Sequence, residues 1–108
     1  MNQHKQMVAG QWFKMSFVHQ MANVGSEVER TIIWRNKKPA YSQQAFERAL
    51  ELLDLTIADD KNKSKLKELT RLREVLIDYF VYDNSYASTD QLNQNYFYAF
   101  NFAARMGY

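Results

Sequence analysis

Phe17-Val18-His19-Gln20-Met21-Ala22-Asn23-Val24-Gly25-Ser26-Glu27-Val28-Glu29-Arg30-Thr31-Ile32 is the stretch that decides the fold. Wound at about 100° per residue, Phe17, Val18, Met21, Val24, Gly25, Val28 and Ile32 share one face. A second stripe holds Val8, Met15, Ala22 and Ile33. Two stripes on one helix predict neighbours on both sides. Gly25 in mid-helix costs about 1 kcal/mol against Ala, which points to close approach of another backbone. The helical pattern runs from Gly10 to Trp34.

Three further periodic segments follow. Ala40 to Ala58 carries Phe46, Ala49, Leu50, Leu53 and Ile57 on its stripe, with Glu47, Arg48, Glu51 and Asp54 on its polar sides. Ser64 to Tyr82 places Leu66, Leu69, Leu72, Leu76, Tyr79 and Phe80 at 3-and-4 spacing, with Ser64 as N-cap. Thr89 to Met106 has Leu92, Tyr96, Ala99, Phe100 and Ala103 on its inner stripe. Ser88 with Gln91 makes a capping box before it. The breaks are Arg35-Asn36-Lys37-Lys38-Pro39, Asp59-Asp60-Lys61-Asn62 and Asp83-Asn84-Ser85-Tyr86-Ala87. Pro39 suits the first turn of the helix it precedes. Connections this short predict an all-α, four-helix up-down-up-down bundle, with helices at 10–34, 40–58, 64–82 and 89–106 in one domain spanning 1–108.

Composition narrows the chemistry. The 108 residues contain no Cys, so disulfide scaffolds, Cys-ligated zinc and thiol nucleophiles are excluded. Three Gly and one Pro are too few for a protein of many tight β-turns. The best apolar run, Gln11 to Val24, is interrupted by Lys14, His19 and Gln20, so no bilayer span is expected. The first six residues lack the apolar core of a secretory signal. The expectation is a cytoplasmic protein.

Met21-Ala22-Asn23-Val24-Gly25-Ser26-Glu27-Val28-Glu29-Arg30, followed by Trp34-Arg35, resembles the central motif of an uncharacterised family of small bacterial and archaeal helical proteins. Ala45-Phe46-Glu47-Arg48-Ala49-Leu50-Glu51-Leu52-Leu53-Asp54-Leu55-Thr56, Leu72-Arg73-Glu74-Val75-Leu76 and Asp83-Asn84 resemble the same family. The resemblance covers residues 11 to 105 and implies a stand-alone helical domain, with no catalytic residue attached. A looser resemblance is to the HEPN superfamily of small four-helix bundles, some of which cut RNA with an Arg and a His on the last helix. Here that segment has Arg105 and no His.

The candidate sites are three. Asn23, Ser26, Glu27 and Arg30, with Arg35 nearby, form a polar set three to four residues apart, and Arg48 or Arg73 is placed to reach Glu27 from another helix. This is either an ion-pair network fixing helix register or a polar pocket for a small ligand. Lys61, Lys63, Lys65, Lys67, Arg71 and Arg73 stand against Glu68 alone, and Lys63, Lys65, Lys67 and Arg71 are the nucleic-acid candidates. A net charge of +2 is weak for such a role. Trp12, Met15, Tyr98 and Phe102 exceed what one core absorbs and are the interface candidates. No metal ligand set, cofactor motif or catalytic residue is assigned. Glu-x-x-His is absent, the glycines are isolated, and His4 and His19 lack positioned partners. The expected function is a non-enzymatic protein-interaction module that self-associates as a homodimer, without membrane contact. The alternative is a nucleic-acid-associated accessory protein.

Overall fold

The computed structural model describes residues 9–107, and in it the long N-terminal pattern is two helical pieces rather than one. His4, Val8 and Tyr108 lie outside the described residues. A short helix over 9–14 ends at Met15, and α1 then spans Phe17–Trp34. The cause is Ser16. Its backbone is extended, and its hydroxyl accepts the amide of His19 at 3.2 Å, satisfying a donor at the helix start. The same hydroxyl lies 2.8 Å from His19 Nδ1. The break folds the preceding turn back over the molecule and carries Trp12 into the core.

The other helices are α2 (Pro39–Ala58), α3 (Leu66–Phe80) and α4 (Asp90–Arg105). Pro39 opens α2 as its φ constraint favours. Ser64 is not the N-cap of α3. It lies within a 3₁₀ turn, Asp60–Lys65, capped by Asp59, whose carboxylate accepts the Lys61 amide. Ser88 does not cap α4 either. Thr89 does, accepting from the Leu92 amide at 3.0 Å. Ser88 is instead held by Asn84, whose side chain bonds both the carbonyl and the amide of Ser88. The described chain is all-α, with no strand among these residues.

α1 lies between α2 and α4. Gln20, near its start, bonds Asp59 beyond the end of α2, whereas Ser42 in the first turns of α2 donates to the Thr31 carbonyl at 2.6 Å. These two helices therefore run in opposite senses. Phe17 against Phe100 and Glu29 against Gln94 give the same relation for α1 and α4. Phe46 stacks on Phe80 to join α2 to α3. The core is Trp12, Met21, Val24, Val28, Phe46, Ala49, Leu52, Leu53, Leu69, Leu72, Leu76 and Phe97.

Gly25 is where α4 comes closest. A Cβ on Gly25 would stand 2.7 Å from the Cβ of Phe97. The close approach is thus to the root of an aromatic side chain. It also turns α4 away from the expected register. Phe97 and Asn93 are buried, whereas Leu92 and Ala99, expected inside, face outward. Among the described residues no helix is long and apolar enough to cross a membrane.

Candidate functional site

Five of the seven polar-cluster candidates converge. Asn23, Ser26, Glu27 and Arg30 of α1 and Arg48 of α2 line a groove of about 550 Å³, closed at one end by Gln11, Trp12, Met15 and Leu52. Glu27, Arg30 and Arg48 also line a second recess of about 270 Å³, with Trp34, Tyr41, Gln44 and Ala45. Glu27 is buried and pairs with the exposed guanidinium of Arg30. Arg48 is exposed and has no ion-pair partner among the described residues. Asn23 donates to the His19 carbonyl at 2.8 Å, and Ser26 to the Ala22 carbonyl at 3.2 Å. The helix backbone thus fixes both side chains.

Arg73 and Arg35 do not join this cluster. Arg73 makes a forked bond to Asp54, with Nε 2.7 Å from one carboxylate oxygen. Arg35 bonds Asp90 at 2.6 Å, and the Tyr79 hydroxyl donates to the other oxygen of that carboxylate at 2.6 Å. The bond from Arg35 outweighs desolvation and holds the Asp90 carboxyl below its ordinary range. Burial, then the bond to Asp90, pushes the Tyr79 hydroxyl up. This triad ties the C-terminal end of α1 to the ends of α3 and α4.

Sequence reasoning missed the most buried polar cluster among the described residues. Gln20, Thr56 and Asn62 are essentially inaccessible, and Asp59 nearly so. Gln20 Nε2 donates to the Trp12 carbonyl at 3.0 Å and to Asp59 at 2.8 Å. Asn62 Nδ2 donates to Gln20 Oε1 and to the Thr56 carbonyl, both at 2.9 Å. Trp12 Nε1 donates to Thr56 Oγ1 at 3.0 Å. Burial pushes the Asp59 carboxyl up, but bonds from Lys61 and Gln20 outweigh it and leave it below the ordinary value. The signal was present: Gln20 sits within the apolar face shared by Phe17, Met21 and Val24.

The basic run is engaged in part, although Lys63, Lys65, Lys67 and Arg71 are all exposed and none is ion-paired among the described residues. Lys61 pairs with Asp59 and donates to the Phe13 carbonyl. Lys65 stands over the Phe17 ring and Arg71 over the Tyr86 ring. Of the four nucleic-acid candidates, Lys63 and Lys67 alone have neither an ion pair nor a ring contact among the described residues.

The interface candidates divide. Trp12 is 4% exposed and belongs to the core, because its indole N–H finds Thr56 inside. Met15 is half-buried and packs against the same core. Tyr98 and Phe102 are 67% and 57% exposed. They are not isolated. Leu92, Asn95, Ala99, Phe102 and, at the C-cap, Met106 are all exposed and follow one another at alternating three- and four-residue steps. That spacing places them on one face of α4. α4 thus has an outer stripe that is apolar except at Asn95, in addition to the face it buries on α1. No three His, Asp or Glu side chains form a metal-holding group among the described residues.

The chain matches no protein-family model, no curated protein and no solved structure.

Proposed function

We propose that this is a cytoplasmic, non-enzymatic interaction module, an up-down-up-down four-helix bundle of the small bacterial and archaeal type its motif resembles. It acts as a homodimer formed through the outer stripe of α4. The observation that carries this is the run Leu92, Asn95, Ala99, Phe102 and Met106, exposed on a helix whose opposite face is already buried. A largely apolar exposed face of this kind, broken only by Asn95, marks an interaction surface. A second copy suits it for two reasons. The stripe and its neighbours Gln91 and Tyr98 carry no charge, so placing the face against itself brings no like charges together. Ala99 lies at its midpoint, where a small side chain lets two backbones approach. A two-fold axis at Ala99 sets Leu92 of one copy near Met106 of the other, as an isologous interface requires.

The chain has no cysteine, which makes the test specific. Ala99→Cys is expected to yield a disulfide-linked dimer under mild oxidation, because paired cysteines need Cα atoms about 4.4–6.8 Å apart. Ala58→Cys, exposed at the end of α2, is expected to stay monomeric on a non-reducing gel. Equal cross-linking at both positions would refute the assignment.

A further inference from the structure

The groove between α1 and α2 is the second feature the fold builds without using. Its two recesses share Glu27, Arg30 and Arg48 as a common wall, and the larger, at about 550 Å³, is in the range of small-molecule sites, about 300–1,000 Å³. Two guanidiniums and one carboxylate leave the wall with an excess of one positive charge. The carboxylate is already engaged by Arg30, which fixes that guanidinium at the rim. Arg48 faces the same space from α2 with no acidic partner among the described residues. A planar guanidinium left open in this way matches an oxyanion through two parallel N–H bonds. Beyond the charges the walls are mixed, with Gln11, Asn23, Ser26 and Gln44 polar and apolar surface at the two ends. Trp12 and Leu52 stand at one end, and Trp34, packed edge-on against Tyr41, stands at the other.

We propose that this groove binds a small organic oxyanion with an aromatic body, its charged end on Arg48 and Arg30 and its ring against the apolar surface at one end. This does not depend on the self-association reading, since no residue of the α4 stripe lines either recess.

The chain has two tryptophans, Trp12 and Trp34, and both line the groove. The half-buried Trp34 reports on it through its indole N–H signal in a ¹⁵N-correlated NMR spectrum, and Trp12, whose N–H is bonded inward to Thr56, reports through its buried ring. Phenyl phosphate is the probe, with inorganic phosphate and benzyl alcohol separating charge from ring. Phenyl phosphate is expected to shift at least one indole signal saturably, and to bind more tightly than either fragment. Arg48→Gln is expected to weaken binding at least tenfold with the thermal midpoint unchanged, because Arg48 is exposed. Arg71→Gln, over the Tyr86 ring, is expected to leave it intact. Indole signals that do not move, or binding equally retained in Arg48→Gln, would overturn the proposal. Equal loss in Arg71→Gln would also overturn it, by exposing a diffuse charge effect.

Discussion

Gly25 and Ala87 are residues whose substitution gives opposite signs for physical reasons. Helix propensity alone favours Gly25→Ala by about 1 kcal/mol. The added methyl, however, meets the Cβ of Phe97 at 2.7 Å, an atom too close to the backbone to swing aside. Overpacking of this kind costs about 1–3 kcal/mol. Gly25→Ala is therefore expected to lower the thermal midpoint. Gly10→Ala, with open space around it, is expected to leave the midpoint unchanged or raise it. Ala87 holds φ at 54°, a left-handed conformation that costs an L-residue about 1 kcal/mol or more. Ala87→Gly is expected to stabilise the fold by a few tenths to about 1 kcal/mol in urea titrations, less than the full relief because glycine also gains freedom when unfolded. Asn84 shares the positive φ but uses its side chain to hold Ser88, so Asn84→Gly is expected to destabilise instead.

At the scale of elements, two polar clusters join helices whose apolar faces alone would leave their ends loose. Gln20 ties the turn before α1 to the turn after α2, and Gln20→Ala removes one bond each from Asp59, Asn62 and the Trp12 carbonyl, leaving Asp59 on Lys61 and Asn62 on the Thr56 carbonyl. Each buried bond lost costs about 0.5–1.5 kcal/mol, so a clear fall in the urea midpoint is expected. Asp59 and Asp90 also set the acid limit. Both carboxyls have folded pKa values below the ordinary 3.8. A depressed carboxyl adds stability that is fully present above its unfolded pKa and is lost as pH falls through the folded value. Stability is therefore expected to be level above about pH 5 and to decline below about pH 4. Asp90→Asn is expected to flatten that decline, and an unaltered acid slope in this variant would contradict the role given to the Arg35–Asp90–Tyr79 triad. The helices themselves were legible because 3-and-4 apolar spacing is a local property. The cap residues were less so, since Thr89 had a chemically equivalent neighbour in Ser88 and the 3₁₀ turn capped by Asp59 takes up Ser64 before α3 begins. The rotation of α4 was not legible, because apolar side chains stand on more than one of its faces and polar Asn93 is on the buried one. Only the tertiary seat of Phe97 on Gly25 decides which stripe faces inward.

For the whole molecule, the same ambiguity of α4 becomes the functional claim. A helix with one apolar face needs one neighbour; α4 has two such faces and one large neighbour in α1. Of the candidate site, the grouping of Asn23, Ser26, Glu27 and Arg30 was legible from spacing on one helix, and Arg48 completed it. Trp12 was not, since the break at Ser16 that sends it inward depends on a single hydroxyl. The exposed stripe extends well beyond Tyr98 and Phe102, to residues the periodicity had placed inside. The most direct test is the solution mass by sedimentation equilibrium across a wide concentration range. The intact chain, 12.8 kDa, is expected at twice that mass, and Tyr98→Ser combined with Phe102→Ser is expected to give a folded, soluble monomer. A monomer mass for the intact chain at all concentrations, or a dimer unchanged by the double substitution, would contradict the account.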